Sequence, residues 1–227
     1  MRDPAKKIPL YLFTDSTVPD DLRCWVAEGV RDFSRYVPGL TLVRKETEFW
    51  NNDIGKVFAD GVQRSRTEDG KLLAKAMLTA LDEGSKSWKG MGQGAGAAGA
   101  VIYITMKDLT VPKMTVCFGL TRVKARVSVN SMSRFTNMKD MQSAALCVRR
   151  TVVHELGHMF GAPAPNRVIA AVEDFGKHCT DPDCVMCQTP NLDRLLEAAQ
   201  REYRNDELFC SRCRRDIRRF LRDRGYR

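Results

Sequence analysis

Apolar positions along the first hundred residues switch between two periods. Ile8-Pro9-Leu10-Tyr11-Leu12-Phe13 is a short continuous run, the pattern of a buried strand. Leu22, Trp25, Val26, Val30 and Phe33 then recur every three or four residues, which predicts one face of a helix that Asp20 or Asp21 can cap. Pro38-Gly39 closes that unit, and Leu40-Thr41-Leu42-Val43 predicts a second strand. Residues 46–68 are polar and show no clear period. Leu72, Leu73, Ala76, Met77 and Leu81 predict a helix over 71–82, and Ala100-Val101-Ile102-Tyr103-Ile104 a third strand. Strand, helix, strand, helix, strand is the beginning of an α/β fold.

Between that helix and strand, residues 90–99 hold five glycines. Gly94-Ala95-Gly96-Ala97-Ala98-Gly99 matches the dinucleotide-binding fingerprint letter for letter. The fingerprint works only where the glycines follow a strand and open a helix, because the helix N-terminus holds the pyrophosphate. Here they follow a helix and precede a strand, so nucleotide binding is rejected in favour of a loop. Short strand signals come next, at 108–112, 114–120 and 125–129, and they read as strands near a sheet edge or as an ordinary buried strand pair. A long helix is predicted from about Lys139 to Phe160, on Ala144, Ala145, Val148, Val152, Leu156, Met159 and Phe160. Gly161 is its natural stop, with Pro163 and Pro165 preventing continuation.

Composition narrows the class. At 227 residues and 43% hydrophobic content, the chain can bury a core in one domain with a small annex. No run of 18 apolar residues occurs, so no membrane partner is expected. The N-terminus lacks the apolar segment of a secretory signal, which makes the cytoplasm the expected address. The net charge of +9 is uneven: Arg201 to Arg227 contains ten arginines against five acidic residues. Such a stretch reads as a solvated helix face, or as a patch for nucleic acid or an acidic partner. Eight cysteines in a chain expected in the cytoplasm argue for metal over disulfides.

The metal chemistry centres on His154-Glu155-Leu156-Gly157-His158. Residues four apart lie on one helix face, so His154 and His158 can grip one ion. Glu155, one position on, can reach a water at that ion and serve as general base. In the commonest form of this motif the third ligand follows three residues after a glycine. Gly161 is in place, but position 164 is alanine. The next candidate is His178, the third of only three histidines in the chain. It stands beside Cys179, with Cys184, Met186, Cys210 and Cys213 further on.

This order of residues resembles the archaemetzincins, a metzincin-clan family of zinc metallopeptidases. His154, Glu155, His158, Gly161, His178-Cys179, Cys184-Val185-Met186 and Cys210-x-x-Cys213 follow the family's signature in sequence, with a longer segment before His178. Residues 105–134 are similar to the family's sheet-edge region, and the resemblance runs from about residue 100 to 213. It implies a metzincin-like zincin fold of mixed α/β (α+β) class. That fold is a twisted mixed sheet with an active-site helix and a small C-terminal part held by a four-cysteine zinc site. It implies two zinc ions, one catalytic on His154, His158 and His178, one structural on Cys179, Cys184, Cys210 and Cys213. Glu155 would be the general base for attack of zinc-bound water on a peptide bond, and Met186 the Met-turn floor. The strand near 114–120 would hold the backbone of a peptide or protein substrate. The matching division is 1–161, ending in the active helix, and 162–227, carrying the third ligand and the structural zinc.

The cysteine set also stands on the residues alone, since four thiolates in two close pairs make a closed tetrahedral site. Cys24, Cys117, Cys147 and Cys187 read as small buried hydrophobes, with Cys187 close enough to be an alternative ligand. Two other functions fit the same residues. One is a non-catalytic zinc protein that uses the cysteine knot and the basic C-terminal helix to bind nucleic acid or an acidic partner. The other is a pseudo-enzyme whose third ligand is missing.

Overall fold

The continuous apolar run near the N-terminus forms β1 (Ile8–Thr14), which pairs in parallel with β2 (Leu40–Lys45) on one side and β4 (Ala100–Thr105) on the other. The computed structural model describes residues 7–45, 53–87, 99–112, 114–173 and 176–226. β8 (Val127–Ser131) adds in parallel to β4, and β7 (Gly119–Arg122) closes the edge antiparallel to β8. The result is a mixed five-stranded sheet in the order β2-β1-β4-β8-β7. A three-stranded sheet is built from β3 (Leu72–Leu73), β5 (Leu109–Val111) and β6 (Met114–Cys117).

Three helices interleave with these strands: α1 (Asp20–Ser34), α2 (Asp53–Arg64) and α3 (Ala74–Ser87). They are followed by the long α4 (Met141–Met159), then α5 (Leu192–Asn205) and α6 (Ser211–Asp223). Between α4 and α5 lies a hairpin of β9 (Ala171–Glu173) and β10 (Lys177–Cys179). Contacts group the described residues into two units, one of 8–23 with 40–137 and one of 24–39 with 138–226. The first unit carries both larger sheets. Its core sets Leu72, Met77, Leu78 and Leu81 against Val101, Tyr103, Val127 and Val129. Burying each such side chain contributes about 1.5–3 kcal/mol. The second unit has an aromatic core, with Phe33 packed on Phe160 and Phe209 at ring-centroid distances of 5.3 and 5.8 Å.

Two expectations from the pattern need correction. The predicted helix over 71–82 starts later: Leu72 and Leu73 form β3, in register with Leu109 and Thr110, and the helix begins at Ala74. Two adjacent leucines fit either period, and sheet pairing decides between them. The stretch 114–120 is two strands in two different sheets, divided at Phe118. Of the two readings of the strands after residue 108, β7 and β6 are edge strands, while β8 lies next to the edge, between β4 and β7, with all five of its residues buried. On its polar side Asn130 Nδ2 donates to Ser128 Oγ at 2.9 Å. The unclassified stretch 46–68 contains α2. The glycine-rich segment lies almost wholly outside the described residues.

Candidate metal centres

Helix α4 is fixed at both ends. Asp140 is its N-cap: the carboxylate accepts from the Ser143 N–H at 2.7 Å and the Ser143 hydroxyl at 2.8 Å. At the other end Gly161 takes φ +80°, the left-handed conformation that suits glycine. A Cβ there would also sit 2.7 Å from the ring of Phe220. The apolar face of α4 is buried through Ala144, Val148, Val152, Leu156 and Met159, which leaves His154 and His158 half-buried one turn apart. Glu155 is buried, at 5% exposure.

The segment after Gly161 returns as a hairpin. β9 and β10 pair antiparallel with His178 opposite Val172 and Cys179 opposite Ala171. The Cys179 N–H donates to the Met186 carbonyl at 2.9 Å, which ties the second strand to the turn that follows. His178, at 6% exposure, is thereby carried to the other two histidines. The three candidate imidazole nitrogens lie within 4.8 Å of one another. The ring of His178 stacks beside that of His154 at 5.3 Å and meets that of His158 edge-on at 5.1 Å.

Tautomer and charge suit metal binding. His154 Nδ1 lies 2.7 Å from the Val185 carbonyl, which can only accept. The proton is therefore on Nδ1, and the Nε2 lone pair is left for a metal. That Nε2 stands 3.2 Å from His158 Nε2. Two nitrogens around a tetrahedral zinc, each about 2.05 Å from it, lie about 3.3 Å apart. Burial, followed by the neighbouring His158 and His178, holds the His154 pKa well below the ordinary 6.5. Burial and His178 depress His158 to about 3. All of these push toward the neutral imidazole that a metal requires.

Cys179, Cys184, Cys210 and Cys213 form a second group whose sulfurs lie within 4.8 Å of one another. Cys179 Sγ and Cys210 Sγ are 3.8 Å apart. That matches a tetrahedral zinc thiolate, where Zn–S of about 2.3 Å sets sulfur pairs about 3.8 Å apart. The Cys210 N–H donates to Cys184 Sγ at 3.4 Å. Hydrogen bonds among the four sulfurs pull the Cys179 pKa down to about 6 and lower that of Cys210, while raising Cys184 and Cys213. Four thiols this close cannot all ionise unaided, and a divalent cation relieves that conflict. Arg167 donates to Cys213 Sγ at 3.4 Å and to Asp216 Oδ2 at 2.9 Å. Burial works against its charge, but Cys213, Cys179 and Asp216 offset this and leave its pKa above the ordinary arginine value.

Met186 is fully buried at the centre of a turn closed by the Cys187 N–H on the Cys184 carbonyl at 2.8 Å. It packs against Gly157 so closely that a Cβ on that glycine would fall 2.2 Å from Met186 Sδ. Glycine inside a helix costs up to about 1 kcal/mol relative to alanine, and Gly157 was the sign in the motif that another side chain occupies this space. The pairing of His154 with Val185 and the hairpin that carries His178 left no comparable sign.

Of the other cysteines, Cys117 and Cys147 are buried and Cys187 is half-buried outside the four-sulfur group. Cys24 contradicts the expectation of burial, because it lies on the exposed side of α1 while Val26 and Val30 face the core. On α6, Arg212, Arg215, Arg218 and Arg219 are exposed and have no ion-pair partner among the described residues. No described helix is long and apolar enough to cross a membrane.

No protein-family model matches the chain. The archaemetzincin of Methanopyrus kandleri is 30% identical over 156 residues, which cover 69% of this chain and 71% of that protein. The crystal structure of archaemetzincin from Methanopyrus kandleri matches with a TM-score of 0.66 at 24% identity, covering 95% of this chain and 96% of that one. A zinc-dependent peptidase from Methanocorpusculum labreanum matches with a TM-score of 0.62 at 20% identity, over 92% and 99% of the two chains. The two structures share this fold, and on the identity and span of the curated relative the chain belongs to the archaemetzincin family.

Proposed function

We propose that this archaemetzincin is a zinc-dependent metallopeptidase that cleaves a peptide or protein substrate. The observation that carries the proposal is the convergence of all three histidines of the chain on one point, with the buried Glu155 next to His154 in the sequence. His154, His158 and His178 hold the catalytic ion. A zinc ion held there would supply a Lewis acid and lower the pKa of water to about 7. Glu155 takes the proton from the attacking water and hands it to the amine released as the C–N bond breaks. The Val185 carbonyl keeps His154 in the tautomer that presents Nε2. Met186 is the Met-turn floor, seated against Gly157 and offering no ligand.

Cys179, Cys184, Cys210 and Cys213 hold a second, structural ion, for a total of two zinc ions per chain. The functional division falls after residue 161, with the general base on one side and the third ligand and cysteine site on the other. Reduced thiols are what such a site requires, and a cytoplasmic address would keep them so.

Glu155→Gln separates binding from chemistry. The variant is expected to keep the zinc content of the wild type and to lose about 10²- to 10⁴-fold in cleavage of a peptide library. Undiminished cleavage at full zinc content would remove Glu155 as the base.

A further inference from the structure

The segment between Gly161 and His178 is where this chain departs most from the compact zinc motif, and its internal contacts are specific. Lys177 directly precedes His178. Its Nζ donates to the Pro165 carbonyl at 2.6 Å and to the Arg167 carbonyl at 3.0 Å, and pairs with Glu173 at 3.6 Å. One side chain thus closes the start of the segment onto its end, next to the third histidine. Arg167 then fastens the closed segment to the cysteine group. Its guanidinium reaches Asp216 Oδ2 at 2.9 Å, Cys213 Sγ at 3.4 Å and the Ala170 carbonyl at 3.2 Å. Asp216 Oδ2 also accepts the Ala164 N–H at 3.0 Å, and the Ala170 carbonyl also accepts the Thr180 N–H at 3.2 Å. The side chains of Arg167 and Asp216 are only 10% and 9% exposed.

We propose that Arg167 and Lys177 are positioning residues that clamp the segment before His178 onto the four-cysteine group, so that the state of this group sets the metal affinity of the three-histidine site. The proposal rests on the reading that the three imidazoles hold a metal ion. The physical basis is preorganisation. Residues 165–177 left open would have to be ordered each time the third imidazole met its metal, and that entropy would be lost from the binding free energy. Closed in advance by Lys177, the segment presents His178 at no further cost. Arg167 adds the coupling. A set of four thiolates around one divalent ion keeps excess negative charge, and the guanidinium both offsets it at Cys213 and holds the segment. Coupling of this kind is reciprocal, so metal at either site strengthens binding at the other.

The test uses cobalt(II) in the full chain, because the two sites have separate signatures. The cysteine site is read by thiolate-to-cobalt charge transfer in the near ultraviolet, the histidine site by the remaining visible absorption during titration. In Lys177→Met, cobalt affinity at the histidine site is expected to fall by about 10- to 100-fold, what one or two residues left to be ordered on binding would cost. The charge-transfer signal should stay unchanged. The Lys177 side chain is 20% exposed, so an unchanged circular-dichroism spectrum is the check that the variant keeps its fold. Arg167→Met is expected to weaken the histidine site as well, and Arg167→Lys to restore part of the loss. His178→Ala serves as the reference for loss of the third ligand. Wild-type affinity in both Lys177→Met and Arg167→Met, with His178→Ala impaired, overturns the clamp alone. Wild-type affinity in His178→Ala overturns the three-imidazole reading and the clamp with it.

Discussion

Glycine 157 shows how a single residue ties the sequence to the site. It stands in the middle of α4 between the two histidines, where helix propensity alone favours alanine by about 1 kcal/mol. Met186 Sδ occupies the space of its missing side chain, and Phe209 lies 3.1 Å from the same point. Two opposed effects therefore predict opposite signs, and packing should win. Gly157→Ala is expected to destabilise the protein by about 1–3 kcal/mol in urea unfolding, the cost of overpacking a filled core. A gain in stability would show that Met186 moves aside freely. Cys147, further up the same helix, is governed by desolvation. Burial pushes its thiol up to about 12. A folded value above the unfolded one means stability that is present below pH of about 8.5 and lost as pH rises toward 12. Native protein at pH of about 8.5 should therefore leave Cys147 unlabelled by iodoacetamide while the exposed Cys24 reacts, read by peptide mass spectrometry. Labelling of Cys147 without unfolding would contradict the packing around it.

At the scale of elements, α4 depends on its cap. Hydrogen bonds from the Ser143 backbone and side chain lower the Asp140 pKa below its ordinary 3.8. A depressed carboxylate contributes stability that is present above the unfolded value and lost as pH falls through the folded one. Asp140→Ala is expected to lower the urea midpoint at neutral pH, and the gap to the wild type should close in acid below the ordinary carboxylate range. A gap independent of pH would mean that the charge of the cap does not matter. The elements also show what could be read from sequence and what could not. The bounds of α4 followed from its apolar spacing, from Gly161 and from the prolines beyond it, all local signals. β3 and the split between β6 and β7 were hidden, because sheet partners such as Leu109 for Leu72 are distant in sequence. The hairpin of β9 and β10 escaped notice for a related reason. Its strands are three residues each, and it is held by Lys177, Arg167 and backbone pairing, with no apolar alternation to announce it.

For the molecule as a whole, the chemistry was more legible than the architecture. The three histidines and the four cysteines that lie together in the fold were picked out by order, spacing and the family resemblance, since such residues are few. The uneven charge was equally plain, and the structure adds that several α6 arginines stand exposed while Arg167 is turned inward to Cys213 and Asp216. The longer path to His178 looked like a break in the motif, but within its unit it folds as a hairpin braced by the cysteine group. Two residue groups that could each hold a metal ion are thus joined by a single strand, which carries His178 of one and Cys179 of the other. Anomalous diffraction at the zinc edge tests this most directly. Two peaks per chain are expected, one among His154, His158 and His178, the other among Cys179, Cys184, Cys210 and Cys213. A single peak, or a first-site peak with His178 out of bonding distance, would contradict the account.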